Sequence, residues 1–302
     1  MPSRRRELKG VLVLIPLPMK KGELDMAGMR ENIESLENTG VSGVIALGSM
    51  GEFFQISADE FDNVVDCVVD STRGKMTSVI GTSYQNLNEC LRRTKYADDA
   101  GADGAMVMPP YYLNVTPKEA ILHYQALDRE IKNIRIMAYN FPPASKINLS
   151  VEMWSELLKL DSITAVKESN SDMFHLTRVL GKIGSKVNVL AGSESWLLLA
   201  SLLGANGVTS NIGIGFPELV AEYFDACKTR KLERAVQLHK LFVEATWFIS
   251  SYNEAAWLKA FAELCGKKAG EPRLPYLPLD GENYKRLESW VSKVKSITLK
   301  AP

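Results

Sequence analysis

Ala100-Gly-Ala-Asp-Gly104, followed at once by Ala105-Met-Val-Met108, reads as a helix end, a glycine turn and the start of an apolar strand. The same local order occurs twice more. Thr39-Gly-Val-Ser-Gly43 runs into Val44-Ile-Ala-Leu47, and Leu203-Gly-Ala-Asn-Gly207 runs into Val208-Thr209. One kind of helix-to-strand turn used repeatedly implies a chain assembled from repeated αβ units.

Working outward from these turns, apolar strand-like runs begin near residues 11, 44, 77, 105, 134, 163, 187 and 207. Each interval has room for one helix and two short loops. Helix-start signals fall inside the intervals. Ser57-Ala-Asp-Glu60 is a capping box, Ser150-Val-Glu-Met153 a weaker one, and Thr116-Pro117 sets proline at a first helical position. Eight strands alternating with helices predict a (β/α)₈ TIM barrel, with an open doubly wound sheet as the alternative. The even spacing favours closure. Residues 1–215 supply the strands and most helices. Residues 216–302 supply the last barrel helix and a C-terminal helical extension, with patterns at about 217–229, 231–250, 253–265 and 281–296. The whole is read as one structural unit, the extension packing on the barrel or forming a subunit contact.

Composition narrows the function classes. The chain has 302 residues, 46% of them hydrophobic, enough for a large core, and its 36 basic residues balance 36 acidic ones. Bulk electrostatics therefore recruit neither nucleic acid nor a membrane. Cys67, Cys90, Cys227 and Cys265 are far apart and read as reduced thiols of a cytoplasmic protein. The start Met1-Pro-Ser-Arg-Arg-Arg6 precedes the apolar run 11–17, which is short, contains Pro16 and has no small-residue cleavage site after it; we read it as a strand, not a leader. No run approaches the ~18 apolar residues of a membrane span. His123, His175 and His239 each fall in a helical pattern without a second ligand at metal spacing, so no metal or other cofactor is expected.

Active sites of such barrels lie at the C-terminal ends of the strands. That rule selects Gly48-Ser-Met-Gly-Glu52, Pro109-Pro-Tyr-Tyr112, Tyr139-Asn-Phe-Pro142, Lys167-Glu-Ser169, Gly192-Ser-Glu194 and Thr209-Ser-Asn211. Lys167 is the most informative of these. It ends the apolar run Ile163-Thr-Ala-Val166, and a buried ammonium there needs an ion pair, a route to solvent or a depressed pKa. A free lysine is neutral in about one molecule in 2,500 at pH 7, and bringing its pKa to ~7.5 costs roughly 4 kcal/mol and makes a nucleophile. A lysine beside a tyrosine suits imine chemistry on a ketone, with the tyrosine moving protons at the substrate oxygen. The glycine turn at 48–51 offers backbone N–H groups to a carboxylate. Each candidate also has an ordinary structural role. Gly48 and Gly51 permit a tight turn, Tyr111 and Tyr112 suit an exposed patch or interface, Tyr139 suits a core position, and Glu52 and Glu168 suit ion pairs. Glu194 in the strand 7–8 region, where many barrels hold phosphate, disfavours a phosphorylated substrate.

Taken in order, Gly48-Ser-Met-Gly-Glu52, Pro110-Tyr-Tyr112, Tyr139-Asn-Phe-Pro142 and Val166-Lys-Glu-Ser169 resemble the strand-end motifs of the dihydrodipicolinate synthase / N-acetylneuraminate lyase family, over residues 8 to about 296. The resemblance implies a class I aldolase or related dehydratase, generally tetrameric. It implies that Lys167 forms a Schiff base with pyruvate or a pyruvate-derived 2-oxo acid, that Tyr139 is the general acid/base, and that Ser49 relays its protons. Tyr112 matches the tyrosine reaching in from a neighbouring subunit of a homotetramer, and Gly48, Met50 and Gly51 would hold the carboxylate through backbone amides. Three positions depart from the family's pattern. Met50 stands where many members carry a second hydroxyl. Ala144, with Lys146 two further on, stands where the synthases carry the arginine that binds the aldehyde partner's carboxylate, which argues against lysine biosynthesis. Thr209, often isoleucine, joins Gly192, Ser193 and Glu194 in an expected polar distal pocket. These features imply a lyase that cleaves or condenses a hydroxylated, non-phosphorylated 2-oxo acid, such as a 2-keto-3-deoxy sugar acid or a 4-hydroxy-2-oxo acid, to or from pyruvate and an aldehyde. A Schiff-base dehydratase and a dihydrodipicolinate synthase are the alternatives within the class. A 2-oxo acid sensor is the alternative outside it, and the nucleophile counts against that.

Overall fold

The structure is a computed structural model describing residues 5–249 and 253–298. The first four residues of the basic start, the 250–252 junction and the last residues of the extension, 299–302, lie outside the described residues. Eight parallel strands close into a barrel: β1 (Gly10–Leu14), β2 (Gly43–Ala46), β3 (Thr77–Gly81), β4 (Gly104–Val107), β5 (Arg135–Asn140), β6 (Ile163–Glu168), β7 (Asn188–Ala191) and β8 (Gly207–Ser210). Each strand pairs with its sequence neighbours, and β8 closes on β1 through Gly10↔Gly207 and Val11↔Val208. These strands are buried along nearly their whole length because both faces are covered, one by the barrel interior and one by helices.

Twelve α-helices are found among the described residues. Those up to β8 are α1 (Met26–Glu34), α2 (Ala58–Thr72), α3 (Leu87–Ala100), α4 (Pro117–Glu130), the one-turn α5 (Pro142–Ser145) and α6 (Trp154–Leu157), α7 (Met173–Ile183) and α8 (Glu194–Leu202). After β8 come α9 (Pro217–Lys228), α10 (Leu232–Ile249), α11 (Glu254–Leu264) and α12 (Gly281–Thr298). A short antiparallel hairpin, Met19–Lys20 with Glu23–Leu24, stands apart from the barrel.

The recurrent turn has a physical reason at both of its glycines. Gly40, Gly101 and Gly204 take left-handed φ values of 88°, 108° and 105°, which a side chain would strain. Gly101 ends α3 with its N–H on the Ala97 and Asp98 carbonyls. Three residues later the second glycine opens the strand where a neighbour presses in: a Cβ on Gly43 would lie 2.2 Å from the Thr77 carbonyl oxygen.

Capping differs from expectation at one helix. Ser57 and Thr116 each form a complete capping box, with Glu60 and Glu119. At Ser150–Met153 no such box forms. The helix starts later, at Trp154, without a side-chain cap, and Ser150 hydrogen-bonds the Glu152 carboxylate instead. The extension is sealed to the barrel by an aromatic cluster in which Trp257 stacks on Phe261 at 5.1 Å and Phe216 and Trp290 pack around them. Among the described residues no helix is long and apolar enough to cross a membrane.

Candidate active site

Tyr139 and Lys167 are register partners on neighbouring strands, near the C-terminal ends of β5 and β6. Side chains alternate along a strand, so Tyr139 and Lys167 share one face of the sheet while Asn140 and Glu168 share the other. On the other face Asn140 Nδ2 donates to Glu168 Oε1 at 2.8 Å and to Asn148 Oδ1 at 2.9 Å. The Asn170 N–H donates to Glu168 Oε1 at 2.9 Å, and His175 Nε2 lies 3.3 Å from Glu168 Oε2. This knot fixes the backbone immediately after both inward-facing residues. Inside, Lys167 Nζ sits 4.2 Å from the centre of the Tyr139 ring, which in turn stacks on Phe141 at 5.6 Å.

A cavity opens above this pair. Leu14, Ser49 and Met50 form one side, and Tyr139, Phe141, Lys167 and Ser169 form the floor. Gly192, Ser193, Ser195, Trp196, Asn211 and Glu254 complete the lining. The Tyr139 hydroxyl hydrogen-bonds with Ser169 and Ser49. Ser49 opens a short 3₁₀ turn, Ser49–Gly51, that follows β2; Gly48 before it is buried and extended. Glu52 after it holds a left-handed φ of 50°, unusual for a residue with a side chain.

The electrostatics suit nucleophilic chemistry. Burial holds the Lys167 ammonium down to about 8, with Glu254 and Glu194 pulling the other way. Burial pushes the Tyr139 phenol up, assisted by Glu254 and opposed by the hydrogen bonds to Ser169 and Ser49. Burial also raises Glu254, and Lys167 opposes it. A lysine held near 8 is neutral in about one molecule in ten at pH 7, some hundreds of times more often than a free one. A phenol held well above 10 stays protonated and can donate.

The structure brings Lys167, Tyr139, Ser49, Met50 and Gly192 into one cavity, with Gly48 and Gly51 in the turn behind Ser49 and Met50. It places three other candidates elsewhere. Tyr112 is 72% exposed, its N–H on Gln85 Oε1 and its carbonyl accepting from Lys146 Nζ at 2.7 Å. Glu194 and Thr209 do not line the cavity, contrary to the polar distal wall expected of them. Glu194 begins α8 and turns onto the end of β8, where the Ser210 hydroxyl and the Ile212 N–H donate to its carboxylate, leaving it buried. Thr209 is enclosed between β7 and β8, its hydroxyl toward the Ala191 carbonyl. The distal wall is instead made by Ser193, Ser195, Trp196, Asn211 and Glu254. Glu254, the first residue of α11, was missed from the sequence: an acid at a helix start reads as a partner of the helix dipole, and nothing local aims it into a barrel.

A sequence model of the dihydrodipicolinate synthetase family matches residues 7–294. A 4-hydroxy-tetrahydrodipicolinate synthase of Syntrophus aciditrophicus is 31% identical over 267 residues, covering 88% of this chain and 91% of the relative. The enzyme of the same name from Methanothrix thermoacetophila is 30% identical over 292 residues, covering 96% and 98%. The solved dihydrodipicolinate synthase of Aquifex aeolicus superposes with a TM-score of 0.91 at 27% identity, covering 95% of this chain and 98% of that one.

Proposed function

The chain belongs to the dihydrodipicolinate synthetase family of class I aldolases, and from that premise we propose that it cleaves or forms a hydroxylated, non-phosphorylated 2-oxo acid through a Schiff base on Lys167, with pyruvate and an aldehyde as the two halves. The observation that carries this reading is the pairing of Lys167 with Tyr139 at the cavity floor, the amine held near 8 and the phenol held protonated.

The geometry supports a complete cycle. Neutral Lys167 Nζ attacks C2 of the 2-oxo acid, and Tyr139 donates a proton to the departing oxygen, so the carbinolamine loses water and leaves an iminium. The iminium draws electrons from the C3–C4 bond. Loss of the C4 hydroxyl proton toward the Tyr139–Ser49–Ser169 chain releases the aldehyde and leaves an enamine. Protonation at C3 and hydrolysis return the amine and pyruvate. The Ser49 and Met50 amides are suited to the C1 carboxylate, while the Gly51 N–H is held by the Gly48 carbonyl. Glu254 belongs to the extension, so we read barrel and extension as one catalytic unit. Tyr112, exposed on a single chain, suits a site completed by a neighbouring subunit in a homotetramer, and a fully active monomer would contradict that.

4-hydroxy-tetrahydrodipicolinate synthesis, the activity by which the relatives are named, is a second reading. An aldehyde partner with its own carboxylate would find no cation beyond Lys167 among the described residues lining the cavity. Ala144 is packed against the core, and Lys146 is engaged with Tyr112.

The test is incubation with pyruvate and borohydride, followed by mass analysis of the peptides. A reduced adduct on Lys167 is expected, and its absence would end the lyase reading. Pyruvate release from a panel of 2-keto-3-deoxy acids then separates cleavage from dehydration, which would yield no pyruvate.

A further inference from the structure

Glu254 enters the cavity from outside the barrel. Among the described residues lining that cavity it is the one carboxyl, and Lys167 is the one cation. Lys167 is committed to C2 once the imine forms, so no positive group is left for the other end of the substrate. Polar groups beside Glu254 in the lining include the Ser193 and Ser195 hydroxyls, 2.9 Å apart, the Trp196 indole, and Asn211, whose buried Oδ1 has no hydrogen-bond partner. An acceptor without a donor is suited to a substrate hydroxyl.

The position of Glu254 is fixed rather than incidental. Asn253 caps α11 by accepting from the Ala255 and Ala256 N–H groups, which leaves the Glu254 side chain free of capping duty. Further along the same helix Lys259 is locked to Glu52, the residue that closes the Ser49 turn. The wall bearing Glu254 and the wall bearing Ser49 are therefore held in a set relation.

We propose that Glu254 is a specificity-determining residue that sets the charge of the substrate's distal end. The site takes a 2-oxo acid whose far end is neutral and hydroxylated, and it turns away one that ends in a second carboxylate or a phosphate. Like charges in a partly desolvated cavity repel strongly, whereas a hydroxyl donates a hydrogen bond to the same oxygen. The inference rests on the Schiff-base reading of Lys167.

The experiment compares two six-carbon 2-keto-3-deoxy acids that differ only at C6, one ending in CH₂OH and one in a carboxylate. Borohydride trapping of each on Lys167 is followed by mass, alongside trapping of pyruvate, in the native enzyme and in Glu254→Gln and Glu254→Lys. The native enzyme is expected to trap the neutral acid at least tenfold more efficiently than the dicarboxylate. Glu254→Gln is expected to lose most of that preference through a lower KM for the dicarboxylate, and Glu254→Lys to invert it. Pyruvate, which has no distal end, should trap on all three. A preference unchanged within twofold in both variants would overturn the proposal, as would a native enzyme that favours the dicarboxylate. Loss of pyruvate trapping in both variants alone would also overturn it, by moving Glu254 into imine formation. Failure of the native enzyme to trap pyruvate would remove the Schiff-base reading and this inference with it.

Discussion

Lys259 Nζ lies 2.7 Å from Glu52 Oε2 with both side chains closed off from solvent, so the helix that carries Glu254 is tied by a buried ion pair to the turn that carries Ser49. Glu52 also accepts from the Arg273 N–H at 3.2 Å, which ties in the segment leading to α12. Burial works against the Lys259 charge, and Glu52 opposes that effect. Removing one partner of such a pair leaves an uncompensated charge and costs about 3–5 kcal/mol, whereas removing both costs far less. Lys259→Met should therefore destabilise the fold by that amount in chemical denaturation, and Lys259→Met with Glu52→Gln should recover most of it. A single variant within about 1 kcal/mol of the native protein would show that the pair does not brace the two walls.

Tyr139 should be separable from Lys167 in function. Tyr139→Phe keeps the ring beneath Nζ and the stack on Phe141 but removes the hydroxyl bonded to Ser49 and Ser169. Pyruvate should still trap on Lys167, while turnover falls by about 10²–10⁴, the usual worth of a positioned acid/base. Ser49→Ala should give a smaller loss in the same direction. Turnover equal to the native enzyme in Tyr139→Phe would remove the phenol from proton transfer.

The barrel was legible in the sequence because its signals are local. The Gly-x-x-Gly turns at 40–43, 101–104 and 204–207 each carry a left-handed first glycine, and at Gly43 and Gly207 a neighbouring backbone carbonyl also crowds the strand start. Lys167 and Tyr139 were legible because a strand-end position fixes where a side chain points. Glu194 and Thr209 were expected in the cavity wall, and the structure buries both behind it. Sequence says that they lie near the strand ends but not that the Ser210 hydroxyl and the Ile212 N–H hold the Glu194 carboxylate. Glu254 was invisible because its role depends on how the extension folds back over the barrel, a relation set by Trp257, Phe261, Trp290 and Lys259 packing at long range.

The outward-facing knot is expected to matter to the site it never touches. Asn140→Leu removes the amide that donates to Glu168 and accepts from the Leu149 N–H, leaving buried polar atoms unpaired at about 1–3 kcal/mol. Because Asn140 and Glu168 directly follow Tyr139 and Lys167, pyruvate trapping should slow as well as stability fall. A destabilised variant that traps pyruvate at the native rate would confine the knot to a structural role.

Imine formation should follow the titration of Lys167. Only the neutral amine attacks, so the trapping rate should climb close to tenfold per pH unit below about 8 and level off above it. A profile still rising steeply to pH 10 would indicate a lysine that burial does not depress.

The same depression has a consequence for stability with a defined sign. Lys167 loses its proton near 8 in the folded protein, against an ordinary value of 10.5, because burial disfavours the charged form. Between those values the unfolded chain holds the proton and the native one does not, so stability rises with pH across that window. Below about 8 both states are protonated and the native state carries the full cost of a buried ammonium, about 3 kcal/mol from the shift. Lys167→Met keeps the length and bulk of the side chain without the charge. The variant should be inactive and yet more stable than the native enzyme at pH 7, by up to about 3 kcal/mol in chemical denaturation. That gap should close as pH is raised from 8 to 10.5. Equal stability at pH 7, or a gap that does not change over the window, would mean that the site does not store the cost of its own nucleophile.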